Sequence, residues 1–190
     1  MGEAAYKEPP WVELIDGKTF MMSPRPRIDH NRVIRNLTRI FGDYLWNKPC
    51  EVFSDGVDVY LDEKNHFIPD VMIVCNQDII CPDAIHGAPD LVVEVLSPTT
   101  TNYDRGKKME AYARAGVKEY WIISPIGRFV EVYLQRNGRL VFDAAYEDVP
   151  DWELDRIQPD DRTKIHDTIK VSLYDDLIVH VHDVFYKLSG

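Results

Sequence analysis

No stretch of this chain is apolar for long enough to span a bilayer, and its opening residues, MGEAAYKEPPWVE, carry charge where a secretory leader would have an apolar centre. Tyr6 stands where a myristoylation signal needs Ser or Thr. The expectation is a cytoplasmic protein with no membrane partner. Cysteine is scarce: Cys50, Cys75 and Cys81 are odd in number and form no C-x-x-C pair, which argues against a disulfide framework and a zinc ribbon and leaves them expected as core thiols. His180 and His182 would share a strand face, but with no Cys or third His beside them they read as half-exposed alternation. Positive charge is also short, and a net charge of −10 opposes long-range attraction to a phosphate backbone. Internal repeats, linkers and low-complexity segments are absent from the sequence.

What is present is a globular composition, 45% hydrophobic and 11% aromatic over 190 residues, which fits one domain over 1–190 with a core at about 28–124. Residues 12–22, VELIDGKTFMM, alternate around Asp16-Gly17, a hairpin signal because the tight type I′ turn needs two positive φ angles. Val33, Ile34, Leu37, Ile40, Phe41, Tyr44 and Leu45 fall at helical spacing and predict an amphipathic helix over 30–46. Strands are expected at 51–61, 67–75 and 90–96, then a helix capped within Thr99–Asn102 and stopped by Gly116, then a strand at 118–124. A second hairpin turns at Asn137-Gly138, residues 147–167 read as an acidic loop, and the chain closes on 169–188. The central order is α-β-β-β-α-β, with mixed α+β or α/β character and a β-hairpin added at each end.

Within this pattern one residue is out of place. Leu91, Val92, Val93, Val95 and Leu96 are apolar on both alternating faces, as in a strand covered on both sides, yet Glu94 interrupts them. A carboxylate there needs a partner, since uncompensated burial costs several kcal/mol or more. Asp70 opens the preceding apolar strand after Pro69, and an antiparallel pairing would bring the two acids within reach of one ion, their oxygens roughly 3 to 6 Å apart. Magnesium, which favours oxygen ligands, would suit two carboxylates and a backbone carbonyl. Lys108 lies one turn after Asp104 and one before Tyr112, at the edge of the stripe Met109, Tyr112, Ala113, and a lysine there can lay its stem along the sheet. Spacing alone fits an ordinary Asp104–Lys108 surface pair at least as well. Lys107 points about 100° further round.

The segments IPD, GAPDLVVEVLSP and DRGKKMEAYARAGVKEYWIIS, with the earlier ELIDG and MMSP, resemble the Uma family of proposed restriction endonucleases, formerly a domain of unknown function, over about 12–185. The resemblance implies the PD-(D/E)XK nuclease fold, a restriction-endonuclease-like core with a mixed central sheet. It makes Asp70 the PD acid and Glu94 the acid of the later motif. The lysine two residues on is replaced by Leu96, and the family's D-x-x-x-K-x-x-x-Y spacing moves that role to Lys108, with Lys107 the fallback. His30 matches a family histidine at the start of the first helix, and Asp104 and Tyr112 are supporting residues.

The expectation is therefore a Mg²⁺-dependent endonuclease, with Mn²⁺ as a substitute. Asp70, Glu94 and the Val95 carbonyl would be metal ligands, and Lys108 would orient the water or stabilise transition-state charge. Its substrate would be nucleic acid, DNA in the first instance, approached past a small basic patch of Arg25, Arg27, Arg32, Arg35 and Arg39. Two alternatives stay open: a binding module on the same fold with little turnover, and a metal-dependent hydrolase of a small phosphoester. Cutting of duplex strands by paired sites implies a homodimer. Replacing Lys108 by Ala is expected to leave stability nearly unchanged.

Overall fold

Antiparallel pairing of short apolar strands builds most of the molecule. The computed structural model describes residues 12–21, 27–54, 56–97, 104–162 and 165–188. The expected caps at 99–102 and Arg25 of the basic patch lie outside them.

The first hairpin, β1 (Val12–Ile15) and β2 (Lys18–Met21), turns at Asp16 and Gly17 with φ of 49° and 76°, the two positive angles that its sequence foretells. Helix α1 (Ile28–Leu45) buries Val33, Ile34, Leu37, Phe41 and Leu45, the predicted stripe. Its buried Asn36 is satisfied by donating to the carbonyls of Val184 and Tyr186, both at 3.0 Å, which ties the C-terminal segment to the helix.

Residues 51–61, expected as one strand, are two. β3 (Glu51–Ser54) and β4 (Val59–Asp62) belong to different sheets, and Gly56 between them has φ +96°. Two short strands not foreseen, β5 (Asn65–Phe67) and β7 (Ile85–His86), join β4 and the hairpin in a five-stranded sheet ordered β2-β1-β5-β4-β7. Pro69 marks the crossing between sheets, and β6 (Val71–Val74) starts one residue after Asp70.

The central sheet is ordered β11-β10-β9-β8-β6-β3, with β8 at Leu91–Val95, β9 at Glu119–Ser124, β10 at Phe129–Arg136 and β11 at Arg139–Glu147. Among its pairings only β8 with β9 is parallel, so the mixed sheet agrees with the expected core. A parallel neighbour requires a crossover. Here it includes the π-helical turn Asp104–Lys108 and helix α2 (Met109–Ala115), which ends at Gly116 with φ +100°. Alternation gives the sheet two covered faces: Val71, Ile73, Leu91, Val93 and Val95 pack with α1, while Met72, Val74 and Val92 pack with Tyr112 and Tyr120.

The acidic stretch read as a loop contains two single helical turns, α3 (Asp151–Leu154) and α4 (Pro159–Arg162). The chain closes on a two-stranded sheet, β12 (Thr168–Lys170) and β13 (Ile178–His180), and α5 (Val181–Val184).

The cysteine expectation needs correction. Cys50 and Cys75 are joined by a disulfide, and only Cys81 is a free thiol, on the surface. The reason is register: β3 pairs with β6 so that Glu51 faces Val74, and one step outward Cys50 faces Cys75. Sequence spacing does not reveal that pairing.

Candidate active site

Glu94 answers to a lysine. In β8 it occupies the same face as Val92, beneath the crossover, and its Oε1 accepts from Tyr112 Oη at 3.0 Å and lies 3.4 Å from Lys108 Nζ. Antiparallel register faces Val71 with Val93, so Asp70 stands opposite Glu94 at the strand end. Asp70 Oδ2 accepts the Val95 N–H at 2.6 Å, and its Oδ1 is 3.4 Å from His30 Nε2, carried by the first turn of α1. His30 and Asp70 thus form one contact pair, Glu94, Lys108 and Tyr112 a second group, the two are set opposite each other by the β6–β8 register, and Val95 is bound to Asp70 through its amide. Asp104 joins them, its Oδ1 3.6 Å from Lys108 Nζ.

That i,i+4 pair is no surface pair: the Lys108 and Asp104 side chains are 3% and 1% exposed. Lys107 is exposed, so the choice between the two lysines agrees with the helical phase read from the sequence. The π turn places Lys108 and Tyr112 inward together, and its Asp104 carbonyl is satisfied by Tyr120 Oη at 3.0 Å.

The shortest contact of Lys108 is to a residue the sequence reading missed. Glu13 Oε1 lies 2.8 Å from the ammonium and also accepts the Ile68 N–H at 3.1 Å. Glu13 shares the inward face of β1 with Ile15, and a carboxylate on an apolar strand face was the available signal. Other acids near the sheet lie outside this cluster: Glu51 is exposed, Asp58 pairs with His66, and Asp90 is held by Lys118 and the Cys75 amide.

Electrostatics follow from this crowding. Burial pushes the Glu94 carboxyl well above its ordinary range; Lys108 opposes the shift, and the charges of Asp104, Asp70 and Glu13 add to it. For Lys108 burial pulls downward, but Glu94, Glu13 and Asp104 outweigh it and hold the ammonium above its ordinary value. Three carboxyl groups, those of Glu13, Glu94 and Asp104, therefore surround one ammonium, and Asp70 stands across the strand pair from Glu94. The donor set is all oxygen and negative in excess, which fits a hard divalent ion at Asp70 and Glu94.

A family model described as "Uma2: Putative restriction endonuclease" matches residues 4–174. The chain belongs to the Uma2 family. Two curated relatives, both from Synechocystis sp., are the uncharacterized proteins slr1290, 28% identical over 64% of this chain, and sll1609, 27% identical over 58%. The matches span 64% and 65% of those proteins, just under two thirds of their length. Among solved structures, "a putative nuclease belonging to DUF820" from Anabaena variabilis superposes with a TM-score of 0.64 at 17% identity, covering 93% of this chain and 90% of its own. That likeness establishes the fold, a mixed α+β architecture shared with a restriction-endonuclease-like structure. Asp70, Glu94 and Lys108 all lie within the matched residues.

Proposed function

We propose that this Uma2 protein is a metal-dependent endonuclease that hydrolyses phosphodiester bonds in nucleic acid, DNA in the first instance, and works as a two-fold homodimer. The observation that carries the reading is the charge imbalance at Lys108: Glu13, Glu94 and Asp104 each place an oxygen within 3.6 Å of its one ammonium, and Asp70 stands across the strand pair from Glu94. Such a surplus of buried carboxylate is relieved by protons or by a cation. Asp70, Glu94 and the Val95 carbonyl would hold Mg²⁺, with Mn²⁺ as its substitute. When bound, the ion supplies Lewis-acid polarisation of a phosphoryl oxygen and lowers the pKa of a water.

The chain's own groups do the rest. Lys108, kept protonated by its carboxylates, is unsuited to act as a base, so its part is electrostatic: it orients the attacking water or offsets charge growing on the phosphorus oxygens. Tyr112 and Lys108 both engage Glu94 Oε1, which fixes the rotamer of that acid. His30 holds Asp70 from the α1 side. For the polyanion, a groove of about 500 Å³ between α1 and β3 is lined by Asn31, Ile34, Arg35, Thr38, Arg39 and Ser54, with two arginines and no acid. It begins beside His30 and near Val71, the strand partner of Ser54. In a chain of net charge −10, this groove offers phosphates Arg35 and Arg39, the latter also paired with Asp43 at 3.4 Å.

Deep burial of the Lys108 cluster favours a second reading, a nucleic-acid or protein-binding module in which the ion network is structural. One experiment separates them. Plasmid DNA, single-stranded DNA, RNA and a small aryl phosphodiester are incubated with wild type and Glu94→Gln in Mg²⁺, Mn²⁺ or EDTA. Metal-dependent strand cleavage that disappears in Glu94→Gln supports the nuclease. DNA binding without cleavage in any metal assigns the binding module, and turnover of the small ester alone assigns a phosphoesterase.

A further inference from the structure

Away from the acidic cluster, one surface loop gathers donors of a different chemistry. Residues 80–85 form a tight turn closed by the Ile80–Ile85 bridge and by the Cys81 N–H donating to the Ala84 carbonyl at 3.0 Å. Buried Ala84 and Ile85 anchor it, and the Ile85 N–H donates to the Asp58 carbonyl at 2.9 Å. The anchoring turns Cys81, Asp83 and His86 outward together, with one donor atom from each lying within 4.8 Å of the other two. Asp83 Oδ2 and His86 Nε2 are 3.3 Å apart. The His86 ring is set by stacking on Tyr60, centroids 5.3 Å apart and 14° from parallel, and Tyr60 stacks in turn on His66 at 4.3 Å and 8°. Cys50 and Cys75 are bonded to each other, which leaves Cys81 as the free thiol.

We propose that Cys81, Asp83 and His86 form a second divalent-cation site, selective for a borderline-soft ion of the Zn²⁺ class and independent of the nuclease reading. The donor set decides the class of ion: thiolate and imidazole suit Zn²⁺ and disfavour Mg²⁺, the reverse of the all-oxygen cluster at Asp70 and Glu94. Three protein ligands leave the fourth tetrahedral position to water. Binding displaces the Cys81 thiol proton to solvent, so affinity rises with pH. The ligands come from the anchored turn and the β7 residue that follows it directly, so no distant elements must be brought together, and the ion would brace the entry to β7.

The test uses the full chain, stripped with EDTA and kept without reductant, titrated with Co²⁺ as the visible probe. One equivalent should produce a sulfur-to-cobalt charge-transfer band with tetrahedral ligand-field absorption, and one equivalent of Zn²⁺ should bleach it. Cys81→Ser should lose the charge-transfer band and His86→Ala should weaken binding, while Asp70→Asn and Glu94→Gln should retain the band. Because Cys81 is exposed, its serine variant should melt as wild type does without metal, so loss of the band is not loss of fold. Absence of the band in wild type, or its survival in Cys81→Ser, overturns the proposal.

Discussion

Lys108 shows how far a residue's environment exceeds its spacing. Helical phase was enough to prefer it over Lys107, because only one of two adjacent residues can face the sheet. Phase could not reveal that three carboxylates meet it there, and Glu13 comes from a sheet whose pairing is not local. The expectation that Lys108→Ala leaves stability unchanged is therefore corrected. Removing a buried ammonium from Glu13, Glu94 and Asp104 should cost about 3–5 kcal/mol, whereas exposed Lys107→Ala should stay within about 0.5 kcal/mol. Urea denaturation of the two variants checks this, and equal midpoints would remove Lys108 from the core of the argument. Glu94 gives a pH dependence with a definite sign. Its carboxyl titrates higher in the folded protein than in the unfolded chain, so between those two values the native state holds the extra proton. Stability of wild type relative to Glu94→Gln should therefore be greatest below the ordinary carboxylate pKa and fall as pH rises toward the raised one. Thermal melts across that window, with and without Mg²⁺, measure the slope, and Mg²⁺ should flatten it.

Elements whose signals are local were legible in the sequence; those decided by distant partners were not. Asp16-Gly17 and Asn137-Gly138 carry their turn geometry in two residues each, and both adopt two positive φ angles. The α1 stripe needs only its own periodicity. By contrast, the division of 51–61 between two sheets depends on which strands lie beside β3 and β4, and the π turn over 104–108 depends on Asp104 and Lys108 both being drawn inward. The Cys50–Cys75 bond required the β3–β6 register. Gly116 belongs to the legible class and can be tested as such. Its N–H closes the end of α2 on the Tyr112 and Ala113 carbonyls, at φ +100°, and no atom would obstruct a Cβ. Gly116→Ala should thus carry the backbone penalty alone, about 1–2 kcal/mol. A chemical denaturation curve measures it, and because α2 continues directly from the turn that holds Lys108, any loss of the proposed cleavage should follow loss of fold.

For the whole molecule, charge and sheet edges act against each other. β11 is an edge strand of the central sheet, with Val141 and Phe142 exposed at 42% and 54%. An apolar edge of that kind invites a second strand, and pairing β11 with its own copy would give an isologous two-fold interface. Two chains of net charge −10 also repel one another, over a distance that shrinks as salt is added. If the chain dimerises through this edge, the dimer should strengthen with ionic strength, the reverse of what the proposed DNA binding would do, since counterion release makes such binding weaker as salt rises. Light scattering over a range of protein and salt concentrations should show a mass moving from one chain toward two as NaCl rises. Phe142→Asp should hold it at one by placing a further negative charge at the centre of the contact. A monomer mass at every salt and protein concentration would sink the dimer while leaving the site of Asp70, Glu94 and Lys108 intact, because every short contact described for it lies within one chain.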